Sequence, residues 1–388
     1  MKFFHLSDLH IGKYLHYYNL AKDQEEILVQ IVELAKQYRP DAIVIAGDIY
    51  DKTVPSGEAY QLFDAFLNQL AEIEPNIPVL IIAGNHDSAE RLQYASTFLE
   101  KHHIYISVMP PQEQNEFIKK ITLQDEFGEV DFYLLPFMKP GYVRHLFEKE
   151  TITDYETAYR LILEREHLDA SRRQVLVAHQ FFVNAGHAPD TCDSEQLCIT
   201  VGGLDAIDIS VVKDFDYVAL GHIHGAQRLG EGKVRYCGTP LKYSVSEEKH
   251  RKSISLVTLG KKGTMPEICE IPLVPYREVR RIKGSLEEVK AAATEDNRHD
   301  YISITLTDDK ETFHQKEQLE EIYDHILEIV VDNARTRHLL EQISDEEKMQ
   351  TPMEAFREFY QMMQQQTLSL EEEEIMQSIM EGLAYETN

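Results

Sequence analysis

The chain has 388 residues, which is enough for two or three domains and a large apolar core. Its formal net charge of −28 leaves no excess of lysine and arginine for neutralising phosphates, so charge alone predicts that this chain binds nucleic acid weakly on its own. No apolar run is long enough to span a membrane, and Asp8 and His10 interrupt the first apolar segment, so we expect a cytoplasmic protein without a secretory signal.

Five short runs of aliphatic and β-branched residues predict buried strands in a sheet that is covered on both faces. The runs span residues 2–6, 42–46, 79–83, 175–178 and 217–220. Two segments between them have helical periodicity, residues 22–38 and residues 57–72, and Ser56 is the predicted cap of the second helix. The mixture of strands and helices predicts the α/β class.

A polar motif follows each of the five predicted strands. The motifs are Asp8-Leu9-His10, Gly47-Asp48-Ile49-Tyr50-Asp51, Gly84-Asn85-His86-Asp87, His179 and Gly221-His222-Ile223-His224. Ligands of open α/β sheets gather beyond the carboxyl ends of the strands, so we expect these side chains to lie together. Aspartate, asparagine and histidine suit hard-to-borderline divalent ions. The number of donors exceeds what one ion needs, which predicts two neighbouring metals of the kind that cleave phosphate esters.

Each motif taken alone has a simpler explanation. The segment Gly84-Asn85-His86-Asp87 is compatible with a turn, since glycine and asparagine tolerate left-handed backbone. The segment Gly221-His222-Ile223-His224 could end a strand around one buried histidine. The order of the five motifs, each placed after a predicted strand, favours the metal interpretation over these alternatives.

The four cysteines, Cys192, Cys198, Cys237 and Cys269, lack Cys-x-x-Cys spacing. Without a secretory context we expect reduced thiols. Cys192 and Cys198 leave a second possibility open, since they could bind a metal or form a disulfide with each other.

The pattern changes near residue 275. Residues 277–340 predict a small α/β unit, with a half-buried strand over 301–307 and a helix over 315–330. Two capping boxes, Thr351-Pro352-Met353-Glu354 and Ser369-Leu370-Glu371-Glu372, then begin two predicted helices with methionine-rich apolar faces. Such faces suit an adaptable partner groove, and the alternative is that both helices pack on the preceding unit. The predicted domains are residues 1–275, 276–344 and 345–388.

The five motifs resemble those of the calcineurin-like metallophosphoesterase family, and the match is closer to its SbcD branch, the nuclease subunits of bacterial SbcCD complexes. The first ten residues, the segment 84–92 and the segment 215–244 carry this resemblance. It implies a metallophosphoesterase β-sandwich flanked by helices over roughly residues 1–260. A small α/β capping domain that helps to select DNA and a helical tail would follow.

The resemblance also implies a role for each motif residue. Asp8, His10 and His224 would hold a first metal, and Asn85, His179 and His222 a second, with Asp48 shared between them. His86 would approach the scissile phosphate as a general acid without binding metal. Asp51 stands where archaeal and eukaryotic relatives have a histidine, so the role of that histidine cannot be assigned to Asp51. A set of nitrogen and oxygen donors suits manganese better than magnesium or zinc, and we therefore expect two Mn²⁺ ions as cofactors.

The family further implies a DNA nuclease that acts in recombination and repair. The expected activities are 3′-to-5′ exonuclease action on duplex ends and endonuclease action on single strands and hairpins. The expected partner is an SbcC-like ATPase of the SMC family, which would bind the C-terminal helices of a homodimer within a heterotetramer. The two alternatives are a small-nucleotide phosphodiesterase and a non-catalytic scaffold, although none of the expected ligands is missing.

Charge is unevenly distributed along the chain. Residues 340–388 contain twelve acidic and two basic residues, a net charge of −10. Two local basic clusters are the candidates for DNA contacts, Arg144 with Arg172 and Arg173, and Lys249 with Arg251 and Lys252. The alternative interpretation of the acidity is that it only keeps the protein soluble.

Overall fold

The structure is a computed structural model, and it describes residues 1–147, 151–195, 205–308, 314–333, 356–357, 360, 372–373 and 376. The strands in chain order are β1 (Lys2–Leu6), β2 (Tyr14–Leu15), β3 (Tyr18–Asn19), β4 (Ala42–Ala46), β5 (Val79–Ile82), β6 (Ile104–Ser107), β7 (Lys119–Asp125), β8 (Gly128–Leu135), β9 (Arg173–His179), β10 (Phe182–Val183), β11 (Ile207–Asp208), β12 (Tyr217–Gly221), β13 (Gln227–Leu229), β14 (Val234–Tyr236), β15 (Ser253–Thr258), β16 (Glu267–Pro272), β17 (Val279–Gly284), β18 (Tyr301–Leu306) and β19 (His325–Val331). The α-helices are α1 (Ala21–Tyr38), α2 (Gly57–Ala71), α3 (Ala89–Leu92), α4 (Ser96–Leu99), α5 (Pro140–Val143), α6 (Tyr155–Arg165), α7 (Leu286–Ala291) and α8 (Gln315–Glu320).

Two six-stranded sheets form the main architecture. The first has the order β16-β15-β1-β4-β5-β6, and the second has the order β13-β14-β12-β9-β8-β7. Strands β1, β4, β5 and β6 are parallel to one another, as are β14, β12, β9 and β8. The outer strands β15, β16, β7 and β13 pair antiparallel. The parallel strands at the centre of each sheet therefore end at the same edge.

Apolar side chains from the two sheets form one buried cluster, which makes the pair a sandwich. Phe3 and Val44 come from the first sheet, and Phe132, Val177 and Tyr217 come from the second. The other face of the first sheet is covered by α1 and α2, whose apolar residues join a second cluster. Helix α6 contributes to a third cluster with β9 and β12. The central strands of both sheets are thus buried on two faces, which explains why they have continuous aliphatic runs.

The predicted fold class, an α/β sandwich flanked by helices, is confirmed. The predicted strands 2–6 and 42–46 coincide with β1 and β4, and the other three predicted runs fall within one to two residues of β5, β9 and β12. Helix α1 and helix α2 match the predicted segments 22–38 and 57–72. The Ser56 side chain accepts a hydrogen bond from the backbone N–H of Ala59 at 3.1 Å, so Ser56 caps α2 as predicted.

The predicted helix over 315–330 is wrong. Only Gln315–Glu320 is helical, and β19 (His325–Val331) follows as the edge of a small sheet with the order β17-β18-β19. The segment from Ile326 to Val331 is rich in β-branched residues, and such a short apolar run fits helical and strand periods alike. Strand β18 was predicted to be half-buried, but residues on both of its faces are buried.

The chain divides into two compact units. One consists of Met1–Ile282, Ala292–Ile304 and Lys316–Glu328, and the other of Lys283–Ala291, Thr305–Gln315 and Ile329–Asn388. The predicted domain boundaries after residues 275 and 344 remain predictions. Most of the predicted C-terminal helices and Cys198 lie outside the described residues; within the tail, the Tyr360 hydroxyl donates a hydrogen bond to Glu372 at 2.9 Å.

The predicted basic clusters are partly wrong. Arg173 is buried and pairs with Asp125, while Lys252 is buried and pairs with Glu247, so neither is placed to contact DNA. Arg172 forms ion pairs with two carboxylates of β8, at 2.8 and 3.0 Å. Arg144, Lys249 and Arg251 are exposed. A search of the described residues finds no helix long and apolar enough to cross a membrane.

Candidate metal centre

The seven predicted metal ligands lie together at the carboxyl ends of the central parallel strands. Asp8 and His10 follow β1, Asp48 follows β4, and Asn85 follows β5 of the first sheet. From the second sheet, His179 ends β9, and His222 and His224 follow β12. The two sheets therefore supply ligands from opposite sides of one site, because their parallel strands end at the same edge of the sandwich.

One group of donors surrounds His10. The Nε2 atoms of His10 and His224 are 3.2 Å apart, and a carboxylate oxygen of Asp8 lies with them in a cluster in which all donor atoms are within 4.8 Å of one another. All three side chains are buried. Two imidazole nitrogens and a carboxylate that converge in this way have the composition of a divalent metal site.

A second group surrounds Asn85. Its side-chain Oδ1 lies 3.0 Å from His179 Nε2 and 3.0 Å from His222 Nδ1. The Oδ2 atom of Asp48 is 3.4 Å from His179 Nε2 and 3.6 Å from His10 Nε2, so this carboxylate lies between the two groups. The structure thus brings all seven predicted ligands together and places Asp48 in the middle.

The ionisation of these residues fits a cation. Burial and neighbouring His179 hold the pKa of His222 at about 3, and burial keeps the pKa of His10 well below its usual value, so both rings are neutral ligands. Burial lowers the pKa of His179, but the Asp48 carboxylate outweighs this effect and raises the pKa to about 9. Buried carboxylates that attract positive charge this strongly, beside neutral imidazoles, suit divalent metal ions.

Hydrogen bonds fix which ring nitrogen of His179 and of His224 faces the site. His179 donates from Nδ1 to the carbonyl of Ala46 at 2.8 Å, which leaves the Nε2 lone pair for a metal. The Ser194 hydroxyl lies 2.7 Å from Nδ1 of His224 and itself donates to Glu247 at 2.6 Å. His224 therefore donates from Nδ1, and its Nε2 lone pair faces His10.

Glu247 is a buried carboxylate that belongs to none of the sequence motifs. Burial raises its pKa, but the Lys252 ammonium outweighs burial and holds the pKa well below the usual range. Lys252 also donates to the carbonyl of His224 at 3.0 Å and to Thr239 at 2.6 Å. These contacts join segments that are close only in the folded chain, which explains why sequence patterns miss them.

Asp87 ends the third motif but is not among the converging ligands. Its carboxylate accepts hydrogen bonds from the backbone N–H groups of Ile49, Tyr50 and Gly84, at 3.1, 3.0 and 2.9 Å. Burial and neighbouring Asp48 raise its pKa to about 6. Asp87 thereby ties the loop after β5 to the loop after β4, and it supports the ligands Asp48 and Asn85 indirectly.

Four of the proposed ligands have strained backbone. Asp8, His10, Asp48 and His222 have positive φ angles of 53°, 44°, 51° and 99°, which side-chain-bearing residues rarely adopt. Glycine is required beside them: a Cβ on Gly84 would lie 2.1 Å from Asp48 Oδ1, and one on Gly221 would lie 2.0 Å from the carbonyl oxygen of Ala46. These turns direct the ligand side chains, which follow the strand ends, into the site.

His86 lies at the edge of the site. Its backbone N–H donates to Asp48 Oδ1 at 2.9 Å, and its ring lies edge-on to His10 with a centroid distance of 4.9 Å. Ring nitrogen Nδ1 donates to the carbonyl of Asp51 at 2.8 Å. His86, Asn85 and Asp51 line an open cleft of about 430 Å³, and a ring nitrogen of His86 lies within 4.8 Å of donor atoms of His10 and Asp48.

Comparison with known proteins agrees with this geometry. The sequence profile of the calcineurin-like phosphoesterase family matches residues 1–226, more than half of the chain. The chain belongs to this family. A second profile, described as the type 5 capsule protein repressor C-terminal domain, matches residues 275–364. Calcineurin-like phosphoesterases hydrolyse phosphate esters with divalent metals, and this chain is accordingly a phosphodiester hydrolase with a site for two metals.

Similar curated proteins place the chain in the SbcD branch, as predicted. It is 32% identical over 372 residues to the SbcD subunit of the nuclease SbcCD from Staphylococcus epidermidis, which covers 95% of each chain. It is 33% identical to the corresponding SbcCD nuclease subunit of Staphylococcus saprophyticus, over 74% of this chain and 73% of the relative. Among solved structures, a dimetal phosphatase from Danio rerio aligns with 13% identity over 70% of this chain and 98% of its own, with a TM-score of 0.37.

Proposed function

We propose that this chain is a manganese-dependent DNA nuclease, the SbcD-type component of an SbcCD complex. The observation that carries the proposal is a complete set of seven converging donors in a chain that aligns over 95% of its length with an SbcD nuclease subunit. A scaffold that had lost catalysis would not need to keep strained backbone at four ligands. Such a nuclease works on chromosomal DNA, so we expect it in the cytoplasm.

Asp8, His10 and His224 are the proposed ligands of the first metal, and Asn85, His179 and His222 those of the second. Asp48 is the proposed shared ligand, which its distances to His10 and His179 support. When bound, the two ions neutralise and orient the scissile phosphate and lower the pKa of the attacking water. Manganese is the proposed ion because it accepts imidazole and carboxylate donors together and exchanges readily.

His86 is the proposed general acid. The hydrogen bond from Nδ1 to the Asp51 carbonyl fixes the ring, so Nε2 is the atom that carries the proton to the leaving oxygen. The contact of the backbone N–H with Asp48 couples the position of this ring to the ligands. Asp51 acts here through its carbonyl group, while its carboxylate accepts a hydrogen bond from Lys13 at 2.7 Å.

The proposed substrates are duplex ends, cleaved 3′ to 5′, together with single strands and hairpins. A net charge of −28 opposes DNA binding by this chain alone, so a partner must supply most of the phosphate contacts. We propose an SbcC-like ATPase of the SMC family as that partner. It would bind the two C-terminal helices, in a heterotetramer with two copies of this chain.

Cleavage assays with the metal-stripped full-length chain test this proposal. A linear duplex, a hairpin and bis-p-nitrophenyl phosphate as a small diester are incubated with Mn²⁺, Mg²⁺ or Zn²⁺, with and without the coiled-coil ATPase. We expect strong activation by Mn²⁺, little by Mg²⁺, inhibition by excess Zn²⁺, and DNA cleavage that increases with the partner. Cleavage of the small diester alone would contradict the nuclease proposal, and full activity with Mg²⁺ would contradict the proposed ligand set.

A further inference from the structure

A second group of metal-type donors lies behind His224, on the side of the ring that faces away from His10. Cys192 Sγ donates to Glu195 Oε1 at 3.4 Å, and the backbone N–H of His224 donates to the same oxygen at 2.6 Å. The donor atoms of Cys192, Glu195 and His224 all lie within 4.8 Å of one another. Ser194 Oγ is 3.3 Å from the thiol and 2.7 Å from His224 Nδ1, so Nδ1 is the ring atom that faces this group.

We propose that Cys192, Glu195 and His224 Nδ1 form a zinc site that inhibits the enzyme. Zinc bonds of about 2.0–2.3 Å in a tetrahedron place neighbouring donors roughly 3.3–3.8 Å apart, and the distance of 3.4 Å between the thiol and the carboxylate lies in that range. A thiolate, an imidazole and a carboxylate prefer zinc to manganese, because sulfur is a soft ligand. Cys192 and Glu195 are only partly buried, so the ion can reach them, and water would complete the tetrahedron.

Occupation of this site removes His224 from the catalytic centre. A neutral imidazole has one lone pair, which lies on Nε2 while Nδ1 donates to Ser194. Zinc needs that lone pair on Nδ1, so the ring proton moves to Nε2, which faces His10 Nε2 at 3.2 Å, and a first metal bound through Nε2 would be released to solvent. The thiol of Cys192 releases its proton to solvent, no atom is oxidised or reduced, and Ser194 gives up its hydrogen bond from the ring. Zinc binding does not depend on the proposed nuclease function; the inhibition rests on His224 as a ligand of the first metal.

Cobalt and zinc titrations of the full-length, manganese-loaded protein test the site. Co²⁺ reports a sulfur ligand by thiolate-to-cobalt charge-transfer absorption. We expect this band in the wild type and in Cys269→Ser, the control at an exposed cysteine of β16, and its loss in Cys192→Ser and Cys192→Ala. Residues that only support a metal ligand typically contribute at least tenfold to metal affinity, and a direct ligand contributes no less. Half-inhibition of Cys192→Ser should therefore need about tenfold more zinc than half-inhibition of the wild type.

Both measurements can overturn the proposal. A charge-transfer band that is absent from the wild type, or that persists in Cys192→Ser, rules out the site. If Cys192→Ser loses the cobalt band but is inhibited by zinc as strongly as the wild type, the site does not inhibit the enzyme. Zinc would then inhibit by binding at the catalytic metal sites. If the chain cleaves no DNA at all, the nuclease proposal fails, and the cobalt band still decides whether the site exists. Thermal unfolding of each variant shows that the fold is intact.

Discussion

At the scale of residues, the site depends on hydrogen bonds that fix three of its imidazole rings. His179 is fixed by a backbone carbonyl, His86 by the carbonyl of Asp51, and His224 by Ser194 and the buried pair of Glu247 and Lys252. Each contact assigns one ring nitrogen to the protein and leaves the other for a metal or a substrate. The groups that hydrogen-bond to these rings therefore determine, together with the ligands, which atoms can bind a metal or a substrate.

The proposed role of His86 separates it from the metal ligands. His86→Ser should keep two bound metals and the same DNA affinity, and it should lose about 10²–10⁴ of the cleavage rate, which is the usual contribution of a general acid. His102→Ser is the matched control, since His102 is an exposed histidine on the short helical turn Glu100–His102. Metal stoichiometry and single-turnover cleavage measure both effects. Loss of bound metal in His86→Ser would make His86 a ligand and the assignment wrong.

At the scale of elements, the strand ends and the turns after them position the ligands. Parallel strands deliver the residues to one edge, and turns with positive φ aim them inward. The strands were predictable because two covered faces require continuous aliphatic runs. The strained turns at Asp8 and Asp48 were not, since tertiary contacts impose the conformation and most aspartates adopt a negative φ.

Gly84 tests the requirement for close approach in these turns. Gly84→Ala would place a Cβ 2.1 Å from Asp48 Oδ1, so Asp48 or the turn must move. We expect cleavage to fall at least tenfold and manganese affinity to weaken, because a displacement of about 1 Å at a site can cost 10²-fold. Gly57→Ala, at the first position of α2 with no atom within 4 Å of the added Cβ, should change neither. Unchanged metal affinity in Gly84→Ala would show that the added Cβ does not displace Asp48.

The pair of Asp125 and Arg173 gives a prediction for pH. Asp125 lies on β7 and Arg173 on β9, and the hydrogen bonds from Arg173 hold the pKa of Asp125 well below its usual range. Arg173 is buried but Asp125 is partly exposed, so Asp125→Asn should lower the free energy of unfolding at pH 7 by about 1–3 kcal/mol, less than the loss of a partner from a fully buried pair. A carboxylate with a lowered pKa stabilises the fold above the unfolded value of about 3.9 and loses this effect as pH falls.

Chemical denaturation between pH 7 and pH 3 therefore tests both the size and the sign of this effect. The difference between wild type and Asp125→Asn should be full at pH 7 and should shrink below about pH 4. Glu164→Gln removes a solvent-exposed pair with Arg160 and should cost less than about 1 kcal/mol. A difference that grows as the pH falls would show that the pKa of Asp125 is raised in the folded protein.

At the scale of the whole molecule, the distribution of charge and the order of the domains indicate that this chain supplies the metal centre and its proposed partner supplies most of the contacts with DNA. The metal centre is complete within the first 226 residues, which match the phosphoesterase family. The acidic segment 340–388 adds no positive surface for DNA. The two methionine-rich helices predicted there would suit a protein groove better than a nucleic acid.

Truncation after Asp345 tests that division. The shortened chain should remain folded and should bind two metals, because the seven proposed ligands all precede residue 225. It should no longer co-purify with the ATPase, since both predicted helices are absent. The full-length chain with Met363→Glu and Met380→Glu, each on the predicted apolar face of one helix, is a second variant that leaves the length unchanged. Co-purification of the truncated chain at full stoichiometry would show that the partner docks elsewhere.

Sequence analysis predicted five of the twelve strands in the two six-stranded sheets, two long helices and the seven donors that the structure brings together, because each motif follows a predicted strand. It assigned residues 321–330 to a helix, because a short apolar run fits the helical and the strand period alike, and it placed Arg173 and Lys252 on the surface. It did not identify Ser194, Glu247 or the role of Asp87. These residues act through contacts that only the folded loops create, and a carboxylate that accepts backbone N–H groups has no sequence pattern of its own.

The central claim is that two metals share Asp48, and calorimetric titration of the metal-stripped chain with Mn²⁺ tests it most directly. The wild type should bind two ions. Asp48→Asn should disturb both binding events and lose nearly all DNA cleavage, while the chain still folds because Asp48 lies beyond the end of β4 and outside the apolar clusters of the sandwich. Two undisturbed binding events in Asp48→Asn would contradict the shared ligand and, with it, the proposed two-metal centre.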